Sequence, residues 1–331
     1  MPRAAWLRIA LPAASLALAV TIGVLWGTEP VSIAAALGDP ESLDRLILVG
    51  VRLPRVLLGA VAGAGLAIVG AGFQAVLRNP LAEPYVLGVS GGAALGATCA
   101  LLLGFAGTTL LGASLVPLAA LCGGLAATAF VYALARASRG ASATSMLLAG
   151  VVVNAIASAA ITFLKTLVSA SKAQELLFWL MGFLDVPSRA SLAMVSIYVA
   201  AGAALLLRDA GRLNLLALGD EQAAHLGVDV RALERRVFLA CSLVTGAIVS
   251  VTGLIGFVGL IVPHALRRLF GPDNRTLLPA SLMCGGAVLV VCDLASRMLF
   301  RWLHTEPPVG AVTALVGGPL FLVVLRRNGG K

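Results

Sequence analysis

Between Glu83 and Arg136 the chain runs for 52 residues, 84–135, without an Asp, Glu, Lys or Arg. Nothing else constrains the fold as strongly. A helix needs about 20 apolar residues to cross the hydrocarbon core of a bilayer. Inside that core every backbone N–H and C=O must find its partner within the protein. The run is too long for one crossing, so it predicts two helices that turn between Gly104 and Gly112. Composition agrees with a membrane solvent. The 331 residues are 60% hydrophobic and 12% charged, where soluble domains carry about 25% charged residues, and the mean hydropathy is +1.00. A soluble enzyme, a disordered chain and a secreted disulfide scaffold are excluded.

Other charge-free runs complete the count. They predict an all-α integral membrane protein in one domain, 1–331, with ten spans near 9–27, 56–77, 86–105, 115–135, 146–164, 191–207, 237–252, 254–270, 277–300 and 309–325. The run 237–266 is long for one crossing and short for two. Gly253, Gly256, Gly259 and Pro263 break it, which predicts two short or broken helices there. The first 26 residues resemble a signal peptide, with Arg3 and Arg8 ahead of an apolar run. That run continues to Leu25, so it is expected to stay as the first helix. Basic residues at both ends favour an even number of spans with both termini cytoplasmic. Ten spans put 16 of the 24 Lys and Arg on that side and 8 on the other, while the acids divide 7 to 8. Only the basic residues are biased, as orientation by positive charge requires. Small residues at four-residue spacing, Gly88, Gly92 and Gly96, predict close helix packing within the chain.

The chemistry-bearing residues are sparse. The five cysteines lie in apolar stretches without a CxxC pair, and they read as small buried hydrophobes. Asp293 is the main acid inside a predicted span, and Arg297 lies four residues on, on the same face, as a local ion partner. His225, His264 and His304 do not cluster, so no metal site is expected, and no catalytic constellation is present. A phosphate-binding loop needs glycines followed by a lysine. The three lysines, Lys165, Lys172 and Lys331, stand in no such context. The chain is therefore not expected to be an enzyme or to hydrolyse ATP itself, and no basic run suggests nucleic acid. A passive path or a partner-driven one remains.

The longest cytoplasmic loop, 208–236, bears on that choice. Leu213, Leu215, Leu216 and Leu218 read as a short helix ending at Gly219. Asp220 and Glu221 open a second turn that stops at Gly227. Exposed leucines on two capped turns suit the groove of a cytoplasmic partner; a helix lying in the lipid interface is the alternative.

Several motifs then carry a family likeness. Arg52-Leu53-Pro54-Arg55, Gly70 to Gln74, Asn79-Pro80-Leu81-Ala82-Glu83-Pro84 and Leu87-Gly88-Val89-Ser90-Gly91-Gly92 resemble the FecCD-type (BtuC-like) permeases. So do Trp179-Leu180-Met181-Gly182, Leu216-Ala217-Leu218-Gly219, and the stretch from Gly256-Phe257-Val258-Gly259 to Pro263-His264. These permeases are membrane subunits of type II ATP-binding-cassette (ABC) importers for ferric siderophores, haem or cobalamin. The resemblance implies a bacterial inner-membrane protein with two copies of this chain, two ABC ATPase subunits below and one periplasmic substrate-binding protein above. It implies no cofactor on this chain, with ATP and Mg held by the ATPase. It makes the segment from Leu213 to Gly227 the coupling element. It implies that Arg52, Arg55 and Arg297 form a periplasmic rim for carboxylates of the binding protein; by themselves the three read as helix-end anchors. It places a cytoplasmic gate at Ser142, Ala143, Thr144 and Ser145. Haem or a ferric siderophore is favoured over cobalamin as cargo. The rival is a stand-alone secondary transporter or channel, which would normally carry ionisable residues in mid-membrane.

Overall fold

A computed structural model describes residues 3–105, 109–110, 113–137 and 143–328. The first helix, α1 (Arg3–Leu25), is followed by two short ones, α2 (Ile33–Gly38) and α3 (Leu43–Arg45). A π-helical segment, Leu46–Arg52, leads into α4 (Leu53–Val76). A 3-10 turn, Pro84–Leu87, opens α5 (Val89–Leu102). Then come α6 (Leu115–Ala137), α7 (Ala143–Thr166), α8 (Ala170–Met181), α9 (Arg189–Leu216) and α10 (Asp220–His225). The chain closes with α11 (Val230–Thr252), α12 (Val258–Phe270), α13 (Asn274–Leu303) and α14 (Val309–Asn328). Apart from a hairpin of two-residue strands, Thr109–Leu110 with Ala113–Ser114, the regular structure is helical. Among the described residues, seven helices are long and apolar enough to cross a membrane, and Val89–Leu102 and Val309–Val323 are shorter apolar ones. The protein is an all-α membrane bundle.

The core is built around α4, which packs against α13, α12, α9 and α11. From Val56 to Phe73 its residues are apolar on every side, and nearly all of them are buried. A helix that is hydrophobic all round belongs in the interior. Its glycines set how closely neighbours approach. A Cβ on Gly70 would stand 1.8 Å from Gly259 O on α12, so only glycine allows these two backbones to touch. The α5 and α6 pair uses the same device: a Cβ on Gly92 would stand 2.3 Å from Gly123 O. The glycine stripe is thus an intramolecular contact.

Helix ends differ from the charge-based expectation in instructive ways. The second crossing begins ten residues early, through the π-helical turn. There the Leu53 N–H donates to Leu48 O, five residues back. Pro54 follows, and having no N–H to place it sits without loss at the first turn of α4. The helix expected to stop at 207 continues to Leu216, although Arg208, Asp209 and Arg212 lie in it. The Asp209 carboxylate is buried and accepts from Arg212 Nη1 at 2.5 Å and Arg236 Nε at 3.0 Å. Charge marks where the chain leaves hydrocarbon; it does not end the helix. The broken run resolves as α11 and α12, separated by Gly253 at φ 65° and Phe257 at φ 69°. The amphipathic helix α8 had no counterpart among the expected elements.

Candidate docking and coupling sites

At one end of the bundle, Arg52, Arg55 and Arg297 come together, but as an interior network. Arg52 and Arg297 are each only 5% exposed. Arg52 Nη1 donates to Leu25 O at 3.1 Å and Val24 O at 3.4 Å, and Nη2 donates to Glu29 O. Arg297 Nη2 donates to Gly23 O at 3.1 Å and Nη1 to Trp26 O at 3.4 Å. The last carbonyls of a helix have no partner within it, and these two guanidinium groups supply donors to the end of α1. The expectation of an exposed three-arginine rim is corrected to that extent: two of the three are turned inward because α1 needs capping.

Arg55 has a different role. Its Nε and Nη2 donate to Asp293 Oδ1 at 3.0 and 2.7 Å, and Nη2 also donates to Glu306. Asp293 is 1% exposed, and its other oxygen lies 2.9 Å from Arg297 Nε, a charge contact off the hydrogen-bond axis. Asp293 therefore holds two arginines from two helices, α4 and α13. The Arg55 side chain is 14% exposed and Glu306 35%, so this pair forms the outward edge of the network. The Asp293–Arg297 spacing was readable in the sequence. Arg55 and Glu306, 238 residues before and 13 residues after Asp293, were not. Arg301, exposed on α13, donates to Thr28 O at 2.9 Å.

The second site is the segment from Leu213 to Gly227. Leu213 and Leu216 belong to the last turn of α9 and are fully buried in the main core. Leu215 is half-buried. The exposed pair is instead Leu218 (59%) and Leu226 (57%). The predicted free helix of exposed leucines is thus corrected: the turns of α9 continue the core periodicity, and only the tips beyond them project. Gly219 at φ 117° reverses the chain, Asp220 and Glu221 open α10, and Gly227 at φ 83° ends the turn that follows it. Acids in the first turn suit the positive end of a helix dipole. Asp229 then caps α11 by accepting the Ala232 N–H at 2.9 Å.

Polar ties fasten this segment to the bundle. Arg78, just past α4, donates to Asp220 Oδ1 at 2.8 Å. Asn214 Oδ1 accepts from the backbone and side chain of Asn274, both at 2.9 Å, and Asn214 Nδ2 donates to Asp273 Oδ1 at 2.6 Å. Asp273 also accepts the Arg275 backbone N–H, and these donors, the backbone one foremost, hold its carboxyl below the ordinary range. The tip is thereby linked to the end of α4 and the start of α13.

Of the expected gate, Ser142 lies outside the described residues, and Ala143, Thr144 and Ser145 form the first turn of α7. Among the described residues no group of three or more His, Cys, Asp or Glu could hold a metal ion.

The model of the FecCD transport family matches residues 13–327. The chain is 41% identical over 310 residues to the cobalamin import system permease protein BtuC of Halobacterium salinarum, covering 93% of this chain and 81% of that one. It is 37% identical to the hemin transport system permease protein HmuU of Yersinia pestis, over 85% and 84% of the two chains. To the Fe(3+)-citrate import system permease protein YfmD of Bacillus subtilis it is 35% identical, over 87% and 83%. A solved inward-facing conformation of a metal-chelate type ABC transporter superposes with a TM-score of 0.85 at 29% identity, covering 99% of this chain and all of that one.

Proposed function

The chain belongs to the FecCD transport family, membrane permease subunits of ABC importers and not enzymes, and from that premise we propose that it moves an iron chelate, haem or a corrinoid inward on ATP hydrolysed by a separate subunit. The observation that carries the reading is the α10 tip. Two exposed leucines flank a short acidic-headed helix; Arg78 ties that helix to the end of α4, and Asn214 ties the end of α9, which leads into it, to the start of α13. A chain without a phosphate-binding loop needs a place where force enters, and an apolar tip anchored to the central helix provides one. Leu218, Gly219, Asp220, Glu221 and Gly227 form the contact; Leu213, Leu215 and Leu216 anchor it from within.

The assembly proposed is two copies of this chain, two ABC ATPases holding ATP and Mg, and a substrate-binding protein, in a bacterial inner membrane with both termini cytoplasmic. In this assembly Arg55 receives a carboxylate of the binding protein, while Arg52 and Arg297 hold α1 in place. Rim charges of this kind steer and register a partner more than they add affinity. Ser142 to Ser145 remain the proposed gate. The test is the ATPase activity of the reconstituted complex with its binding protein, titrated with haem, several ferric siderophores and cobalamin. Stimulation by one cargo class is expected, reduced by Arg55→Ala. Equal basal activity with every cargo would contradict the reading.

A further inference from the structure

Two faces of α7 differ in chemistry. Leu148, Val152, Ile156 and Phe163 are exposed and apolar. Asn154, Ser158, Thr162 and Lys165 follow one another at spacings of four, four and three, which aligns them on another face. The line is about 16 Å long at 1.5 Å per residue. It lines a cavity of about 530 Å3 together with Tyr85 and Ser90, which adjoin it at Asn154. Hydrogen bonds fix that lining. Asn154 Nδ2 donates to Tyr85 O at 2.7 Å, its Oδ1 accepts the Gly91 N–H at 3.0 Å, and Ser90 Oγ donates to Tyr85 O at 3.0 Å. A second cavity, about 290 Å3 between α12, α13 and α14, is almost wholly apolar by contrast.

Polar side chains on a membrane helix face protein or a water-filled cavity, and they mark transport pathways. Lys165 is the single ionisable side chain of this lining apart from the Tyr85 phenol. Among the described residues its side chain has no hydrogen bond or ion pair, whereas Arg55, Arg78 and Arg297 are each matched by a carboxylate. A free ammonium at the end of a hydroxyl- and amide-lined wall attracts an anion.

We propose that the polar wall of α7 is an aqueous cargo surface and that Lys165 gives it a preference for carboxylate-bearing cargo, a proposal that rests on the importer reading above. Haem with its two propionates and ferric citrate belong to that class. A corrinoid, whose rim is made of neutral amides, does not. The competing use of Lys165 is to reach a lipid phosphate at the membrane surface, which is the same charge chemistry from a different source.

Cys99 and Cys122 are exposed, not buried as the sequence suggests, so the test uses the assembled importer with Cys99→Ser and Cys122→Ser, which leaves the thiol introduced by Ser158→Cys as the most exposed one. Anionic sulfonatoethyl and cationic trimethylammonioethyl methanethiosulfonate are reacted with it in vesicles of phosphatidylcholine. At about 10 Å separation in a partly aqueous site, a unit charge changes each rate about threefold. The anionic reagent is expected to react faster, the preference to vanish with Lys165→Gln, to invert with Lys165→Glu and to survive Lys165→Arg. In uptake, Lys165→Gln is expected to raise the KM for haem several-fold and to leave cyanocobalamin unchanged. A thiol inert to both reagents, or a rate ratio indifferent to residue 165, overturns the proposal. So does a preference that disappears when phosphatidylglycerol replaces part of the phosphatidylcholine, since the lysine then belongs to the lipid. The labelling arm needs no transport. Charge-dependent labelling without ATP-driven uptake would therefore count against the importer reading and leave the aqueous, anion-selective wall standing.

Discussion

Asp293 shows how much a single buried carboxylate can organise. It is the counter-charge of Arg55 from α4 and Arg297 from its own helix, and Arg297 in turn caps α1. Removing one member of a buried ion network leaves the others charged and unsolvated, at a cost of about 3–5 kcal/mol. Asp293→Ala is therefore expected to lower the unfolding temperature in detergent more than Arg55→Ala does, because the alanine leaves buried Arg297 with no carboxylate and Arg55 with Glu306 alone, whereas Arg55→Ala leaves an Asp293 still held by Arg297. Equal and small losses for the two variants, measured by thermal unfolding, would show that the network is not what fixes α1. The sequence made the Asp293–Arg297 pair readable, because four residues is one helical turn. It could not show Arg55 joining them, because a contact between α4 and α13 follows from packing and leaves no local spacing to read.

At the scale of elements, hydropathy marked the crossings because the bilayer imposes length and composition together. It was weaker wherever tertiary partners let a helix continue past its last apolar residue. α9 illustrates this. Asp209 stays in the helix because Arg212 and Arg236 satisfy it, and the periodicity then carries Leu213 and Leu216 into the core. The leucines of this segment look alike in the sequence and differ in the fold. This separation gives a sharp expectation. Leu218→Asp together with Leu226→Asp should release the ATPase during purification while the bundle keeps its unfolding temperature. Leu216→Asp should destabilise the bundle itself, since it places a carboxylate in a site with no polar partner. Co-purification read against thermal unfolding separates the two effects; loss of the ATPase with Leu216→Asp alone in a fully stable bundle would refute the assignment.

At the scale of the whole molecule, the central claim is that this chain is a path without a motor. The family match over residues 13–327 and the TM-score of 0.85 to a metal-chelate type ABC transporter place it among permease subunits. The candidate sites fit that role by position: a charge network at one end of α4 and an anchored apolar tip at the other, with the glycine contacts of α4 joining them through the core. The most direct measurement is cargo uptake into proteoliposomes holding either this chain alone or the complex with its ATPase and binding protein. The account predicts uptake only by the complex and only with ATP and Mg, with none by the lone chain in the presence or absence of a proton gradient. Gradient-driven uptake by the lone chain would contradict it and make the protein a carrier in its own right.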